Sequence, residues 1–224
     1  MPIHERYLAV NFSSRNKPVT DYPSQLASFL LKTARAGSGR LLDIGSGRGD
    51  LAQALRALGV EVEIADINPE ASQLAGSEFI FRQITKDGTI AVQNERYETV
   101  LLKSVIEHLH DPYPILGEIG RILQPNGKLI VMTPSWRHNV TVFYDAVGHV
   151  QPYTVRSLRL SLEIAGFSVD SCVEMRQVPW TWSAPGRTIV SILSPILRFI
   201  PRSIRRPEIR FLREATLLAV ASRR

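Results

Sequence analysis

Apolar positions along this chain recur in two rhythms. Short apolar runs closed by an acid or a glycine read as strands, and longer stretches with apolar residues three and four apart read as helices. Leu26, Phe29, Leu30 and Ala34 share one face of a helix opened by Tyr22-Pro23-Ser24 and ended by Gly37-Ser38-Gly39. Leu41-Leu42-Asp43-Ile44 is the first strand, followed by a helix from about Asp50 to Leu58 that Gly59 stops. Val60 to Ala65 alternates as a second strand ending in Asp66, Pro69 suits the first turn of a short helix closed by Gly76, and Glu78 to Ile84 reads as the third strand. Residues 85–96 are polar and predict no long helix. Tyr97 to Leu102 is a fourth strand, and Tyr113 to Leu123 is helical. Gln124-Pro125-Asn126-Gly127 is a turn, and Lys128 to Thr133 is the fifth strand. Thr154, a good N-cap, opens a helix ended by Gly166. Phe167 to Met175 then alternates as a sixth strand, and Glu214 to Ala221 has the apolar density of a buried seventh. Strands alternating with helices over this length predict an α/β domain.

The chemistry concentrates after the first strand. In Asp43-Ile44-Gly45-Ser46-Gly47-Arg48-Gly49 three glycines stand at alternate positions before a helix. Glycine is needed where the backbone takes a positive φ or a ligand comes close. A loop at the carboxyl end of the first parallel strand is where α/β sheets bind nucleotide-like ligands. The spacing is not the Gly-x-Gly-x-x-Gly of a dinucleotide site, nor does a Gly-Lys-Ser/Thr phosphate loop follow. Asp66 stands 17 residues beyond Gly49, the offset expected of a ribose-binding acid.

These residues resemble the first two motifs of the Rossmann-like (class I) S-adenosylmethionine-dependent methyltransferases, in a branch acting on small molecules or glycans. Lys103-Ser104-Val105-Ile106-Glu107-His108-Leu109-His110-Asp111-Pro112 is similar to the family's segment after the fourth strand, and Glu118 to Pro134 is close to its helix-turn-strand. The resemblance covers about residues 38–175. It implies a mostly parallel seven-stranded sheet with helices on both faces, in which the last strand is antiparallel and inserts beside the fifth. It implies S-adenosylmethionine as cofactor. Asp43, Gly45, Ser46, Gly47 and Gly49 would lie against the amino-acid part of the cofactor and Asp66 on its ribose, with Ile67, Lys103 and Ser104 nearby. The residues near Ile84 to Asp87 would touch the adenine.

Methyl transfer from a sulfonium is an in-line displacement in which the protein binds, aligns and excludes water, and an oxygen nucleophile often needs a base as well. Histidine is the usual base near neutral pH. Of five histidines, His4 falls in the N-terminal tail, His110 at a helix start and His138 in a loop. His108 follows the fourth strand near the expected methyl position, where a structural role beneath the cofactor competes with a catalytic one. His149 lies in Phe143-Tyr144-Asp145-Ala146-Val147-Gly148-His149-Val150-Gln151-Pro152-Tyr153-Thr154. That resembles a branch segment with Tyr-Asp-Asp, a Thr-His pair and a Pro-Phe-Thr helix start, with Ala146 replacing the second acid and Gly148 the Thr. His149 is a candidate base or an anchor of the next helix. Trp136, Tyr144 and Asp145 are candidate acceptor contacts, and Asp145 could orient His149. No close His/Asp/Glu set has metal-ligand spacing, so no metal is expected.

The composition adds limits. The chain of 224 residues carries a net charge of +6. Seven arginines and one acid between Arg187 and Arg213 account for the whole excess, so an anionic partner would meet that segment. The organisation expected is an N-terminal extension and helix over 1–37 and a methyltransferase domain over 38–224, with a basic, apolar insertion at about 177–213. The insertion holds two tryptophans, an apolar run at 189–200 broken by Pro195, and Arg202, Arg205 and Arg206. Such a stretch suits an interfacial membrane segment, a helix packed on its own domain, or an oligomer contact. No run reaches the ~18 residues of a membrane span and the start is polar. The lone Cys172 reads as a buried thiol. A cytoplasmic location is expected, with contact to the inner membrane face through 187–213 as an added option. The acceptor expected is a small molecule, a sugar or a lipid-linked intermediate methylated on oxygen. Methylation on nitrogen or carbon and a non-catalytic, cofactor-binding or membrane-recruited regulator are the competing readings. A nicotinamide oxidoreductase lacks its glycine spacing and catalytic pair. Nucleic-acid methylation is disfavoured, because the Asn/Asp-Pro-Pro-Tyr/Phe motif after the fourth strand is absent.

Overall fold

The computed structural model describes residue 10, residues 20–197 and residues 207–223. His4, the N-terminal aromatics Tyr7 and Phe12, and Arg202, Arg205 and Arg206 lie outside the described residues. The elements are α1 (Tyr22–Ala34), β1 (Arg40–Ile44), α2 (Asp50–Ala57), β2 (Glu61–Asp66), α3 (Ala71–Ala75), β3 (Ile80–Gln83), β4 (Tyr97–Lys103), α4 (Tyr113–Ile122), β5 (Leu123–Pro134), α5 (Trp136–Asn139), α6 (Val155–Ile164), β6 (Phe167–Arg176), α7 (Ala184–Leu197), α8 (Pro207–Arg213) and β7 (Ala215–Arg223). Single 3₁₀ turns stand at Ile106–His108, Phe143–Asp145 and Pro179–Trp182.

The seven strands form one sheet in the order β3-β2-β1-β4-β5-β7-β6. Pairs among β1 to β5 are parallel, and β7 runs antiparallel to both β5 and β6. This is the Rossmann-like sheet expected, with the last strand inserted beside the fifth.

Period-two alternation explains why the central strands read as unbroken apolar runs, since both faces are buried. Leu41, Leu101, Ile130, Met132, Leu218 and Val220 face one core with α1 and α2, through Leu26, Leu30, Leu51 and Leu55. Leu42, Val100, Leu102, Leu129, Val131 and Leu217 face the other with α4 and α6, through Ile115, Ile119, Leu158 and Leu162. The edge strand β6 alternates with polar residues instead, and Asp170 on it pairs with Lys128 at 2.8 Å. A buried carboxylate ties the sheet together: Glu63 accepts from Arg82 at 2.6 Å and from the Tyr97 hydroxyl at 2.8 Å.

Local signals behave as their chemistry predicts. Thr154 caps α6 with a reciprocal pair, its hydroxyl accepting from the Ser157 amide at 3.1 Å while the Ser157 hydroxyl accepts from the Thr154 amide at 2.9 Å. Cys172 is buried, and burial pushes its thiol up to about 11. Two expectations are corrected. Residues 124–127 do not separate helix from strand. Leu123 already pairs with Tyr97, and the extra residues are absorbed as an irregularity before Lys128 pairs with Thr99, with Asn126 at φ 61°. In the insertion, Pro195 does not break the apolar run, for α7 continues through it to Leu197. A proline in the last turn forfeits one backbone hydrogen bond without ending the helix.

Candidate active site

The chain order of the strands reverses between β1 and β4, and the crevice outside the carboxyl ends of the strands at such a switch point is where α/β sheets bind ligands. The loop after β1 enters it, with Gly45, Gly47 and Gly49 at φ 71°, 56° and 77°. The physical demand at two of them differs from close approach of a ligand. A Cβ on Gly45 would stand 2.3 Å from Cγ2 of Val105, and one on Gly49 2.8 Å from Cβ of Ala75. These glycines are required by backbone sign and by packing of the β4 loop and of α3. Asp66 ends β2 beside this loop. Its carboxylate accepts from the Asn68 amide at 2.9 Å, and the amides of Gly47 and Ile67 act on it in the same sense. Burial pushes its pKa up against those three donors. Ser46 presents a buried hydroxyl with no hydrogen-bond partner among the described residues, and Ile67 next to Asp66 leaves 57% of its surface exposed. At the end of β4, Ser104 takes a left-handed conformation at φ 55° after Lys103, and strain of that kind in a non-glycine residue clusters at functional sites. Asp43 lies buried at the end of β1.

Together these groups fit S-adenosylmethionine. Asp66 and the loop amides suit the ribose, the orphaned Ser46 hydroxyl suits the polar amino-acid end, and Ile67 offers apolar surface to the adenine. When bound, the cofactor supplies a methyl group activated by its sulfonium. Asp87, on the segment expected near the adenine, spends its carboxylate on the hydroxyls of Thr85 and Thr89 within its own turn.

A second cluster stands beyond β4 and β5. The amides of Val150 and Gln151 donate to the Glu107 carbonyl at 2.9 and 3.0 Å, which pins their loop onto the turn after β4. His149 thereby meets His108, with ring centroids 4.8 Å apart. The Nδ1–H of His149 donates to the Phe143 carbonyl at 2.8 Å, which leaves Nε2 with its lone pair. This carbonyl, not Asp145, orients His149, and Asp145 is exposed. His149 does not cap α6 either, since Thr154 does. Burial, then the neighbouring His108, push the His149 pKa down, and burial lowers that of His108, so both rings are held neutral. Trp136, Phe143 and Tyr144 form an edge-to-face wall beside them, with centroids 5.1–6.2 Å apart, and Tyr144 and Val147 are 63% and 77% exposed.

The residue that sequence reasoning passed over is Glu107. It is fully buried, its Oε2 accepts from the Thr133 hydroxyl at 2.9 Å, and its Oε1 has no partner among the described residues. Burial pushes it up to about 7. In space, Glu107, His108 and His149 each bring one donor atom within 4.8 Å of the others, a grouping that sequence spacing does not show. Sequence spacing hides this set, since the third member arrives on a loop 41 residues later. His138, expected on a loop surface, is engaged as well. Its Nε2–H donates to Glu174 at 3.0 Å, and the Ser135 hydroxyl donates to the same carboxylate at 2.7 Å.

Sheet order, the glycine loop after β1 and the acid that closes β2 define the Rossmann-like, class I S-adenosylmethionine-dependent methyltransferases. Comparison with known proteins agrees. The chain belongs to that family: residues 19–172, more than half its length, match the family described as a methyltransferase domain. A ubiquinone biosynthesis O-methyltransferase of Xylella fastidiosa is 26% identical over 175 residues, covering 68% of this chain and 70% of the relative. The enzyme of the same name from Xanthomonas euvesicatoria is 31% identical over 101 residues, covering 42% of each, so the match spans about two fifths of that relative's length. Among solved structures, a SAM-dependent methyltransferase of Archaeoglobus fulgidus superposes with a TM-score of 0.63 at 18% identity, over 96% of this chain and 99% of that one. A protein of Pyrococcus horikoshii superposes at 0.65 with 14% identity over the whole of both chains. These two likenesses speak to the fold.

Proposed function

We propose that this chain transfers the methyl group of S-adenosylmethionine to a hydroxyl oxygen of a small molecule, a sugar or a lipid-linked intermediate. The observation that carries the reading is His149. It is a neutral imidazole, oriented by the Phe143 carbonyl and with Nε2 free, beyond the strand ends where the methyl is presented. An acceptor hydroxyl is a poor nucleophile until its proton is drawn off, and Nε2 of His149 is placed to do that, with His108 against it. The wall of Trp136, Phe143 and Tyr144 would hold an apolar or ring-shaped acceptor and exclude water. The name carried by the Xylella and Xanthomonas relatives, ubiquinone biosynthesis O-methyltransferase, supports oxygen over nitrogen or carbon as the accepting atom.

The insertion supports a peripheral site of action. Helix α7 buries Val190 and exposes Ile189, Ile192 and Leu193, while the segment around it carries the chain's charge excess. An apolar face flanked by arginines suits docking on an anionic membrane surface where an amphipathic acceptor resides. No helix among the described residues is long and apolar enough to cross a membrane.

Incubation with S-adenosylmethionine and hydroxylated acceptors, read by mass spectrometry of the product, tests the main reading. A product methylated on oxygen is expected, and His149→Ala should lower turnover by ~10²–10⁴-fold while affinity for S-adenosylhomocysteine is kept. A methyl group found on nitrogen or carbon, or full turnover in the variant, would overturn it.

A further inference from the structure

A cavity outside the methyl-transfer crevice is lined by α1, β6, β7, the turn at Pro179–Trp182 and α7, together with His138 of α5. Its apolar lining, Phe29, Met175, Trp182 and Leu218, belongs to the core under α1 and α2, whereas Ile106, Leu109 and Tyr153, which bracket the histidine pair in sequence, belong to the core on the other face of the sheet. The cavity holds about 310 Å³, at the small end of the roughly 300–1,000 Å³ of ligand sites, and it sets a few polar groups among apolar walls as such sites do. Two arginines, Arg176 and Arg187, and one acid, Glu174, line it. The acid is already spent, since Oε1 accepts from the Ser135 hydroxyl and Oε2 from His138. Neither arginine forms an ion pair with an acid among the described residues. Arg187 gives an N–H to the Trp182 carbonyl at 2.7 Å, and Arg176 gives one to the Arg213 carbonyl and one to Nδ1 of His138 at 3.4 Å. Those bonds use fewer than half of a guanidinium's N–H donors. Arg176 is half-buried. Burial lowers its pKa, and Glu174 offsets that only in part. A cation drawn partly out of water with no anion to itself is costly, and an anion in the adjoining cavity would relieve that cost.

We propose that this cavity is a second ligand site, which binds a small organic monoanion with an aromatic body, its carboxylate on the Arg176 guanidinium and its ring against Phe29 and Trp182. Two arginines against one carboxylate leave one positive charge in the lining, so a single negative charge balances it. The planar fork of a guanidinium meets a carboxylate through two parallel hydrogen bonds, which favours that head over a spherical anion. The Phe29 and Trp182 rings are stacked with centroids 4.6 Å apart, and with Val190 and Leu218 they offer apolar surface for a ring to cover. The Trp182 indole N–H donates to the Arg176 carbonyl at 2.8 Å, so the aromatic wall and the cation are tied to each other within one short segment. A cavity of this size takes a compact ring acid rather than a lipid. None of the residues assigned to the cofactor, to the base or to the acceptor wall lines it, so the proposal does not rest on which atom accepts the methyl group.

The test uses the full chain saturated with S-adenosylhomocysteine, so that the crevice is filled, and titrates it calorimetrically with 2-naphthoate and with the neutral 2-naphthamide. Saturable binding of one naphthoate per chain is expected, with the amide at least about 10-fold weaker, because a hydrogen bond to a charged group is worth about 10- to 150-fold in affinity. Arg176→Gln should weaken naphthoate by a factor in that same range. Ser191→Phe, which fills the cavity from an exposed position on α7, should remove the binding while leaving Arg176 in place. Tyr144→Ala, on the acceptor wall, should leave it unchanged. Circular dichroism and S-adenosylhomocysteine affinity control for folding, and should Arg176→Gln not fold, Ser191→Phe and the acid–amide comparison in the parent chain still decide. No saturable naphthoate binding, equal affinity for acid and amide, or full affinity in folded Ser191→Phe would overturn the proposal. Loss in Tyr144→Ala would also overturn it, by placing the ligand on the acceptor wall. Each of these results would leave the oxygen-methylation reading standing, because that is judged by the methylated product.

Discussion

Replacing Asp66 tests the cofactor site most directly. A carboxylate has about four lone-pair positions. In this structure the Asn68 amide takes one of them at 2.9 Å, and the amides of Gly47 and Ile67 act on the same carboxylate. Without rearrangement of the loop, these amides compete with the ribose hydroxyls for the carboxylate, and one strong bond to the ribose is expected. A hydrogen bond to a charged group contributes about 1.5–3 kcal/mol, so Asp66→Ala should weaken cofactor binding by about 10- to 150-fold rather than by the square of that factor. Asp66→Asn keeps the size but turns an amide NH₂ toward one of the loop amides, and should fall at the lower end of the same range. Calorimetric titration with S-adenosylhomocysteine measures the dissociation constant, with circular dichroism as the control for folding. A dissociation constant within about twofold of the parent chain in folded Asp66→Ala would refute the assignment of this acid to the ribose. A loss well beyond about 150-fold would instead mean that the loop amides let go of Asp66 when the cofactor arrives, and both hydroxyls bind.

Three further outcomes are expected. Gly45→Ala should destabilise the chain by at least about 1 kcal/mol, the cost of a left-handed non-glycine residue, and lower Tm by about 2–4 °C or more. Val105→Ala added to it should recover part of the loss by relieving the overlap, and an unchanged Tm in Gly45→Ala would refute the packing account. Glu174 is held down to about 2 by the His138 and Ser135 hydrogen bonds, below its ordinary 4.5, so the stability it contributes is present above that ordinary value and is lost as pH falls from about 4.5 to about 2. The Tm difference between the parent chain and Glu174→Gln should therefore shrink across that window in a thermal scan, and a difference independent of pH would refute it. Co-sedimentation with vesicles should require anionic lipid, weaken with salt, and fall when Arg202, Arg205 and Arg206 become Ser. Equal recovery with neutral and anionic vesicles, or none with either, would leave α7 as a lid or an oligomer contact.

The sequence by itself determined the sheet and the glycine loop and acid at its strand ends. Strands buried on both faces cannot disguise their apolar runs, and the glycine loop and Asp66 lie at fixed short offsets from strand ends, so Gly45, Gly47, Gly49 and Asp66 were legible from spacing alone. Thr154 and Gly166 marked α6 for the same reason, because caps act within one turn. What required the tertiary structure was contact between residues far apart in the chain. Gly45 looked like a place for a ligand, and only the fold shows Val105 filling the space beside it. Asp145 was the nearest acid to His149 in sequence, yet the Phe143 carbonyl holds that ring. Glu107 was read only as half of a Glu-His pair in the segment after the fourth strand, because its weight comes from burial, from an oxygen without a partner among the described residues, and from a loop that folds back to set His149 beside His108. Periodicity and short-range spacing record what neighbours along the chain do. The meeting of a buried carboxylate with a histidine 42 residues away is decided by packing, which no local pattern encodes.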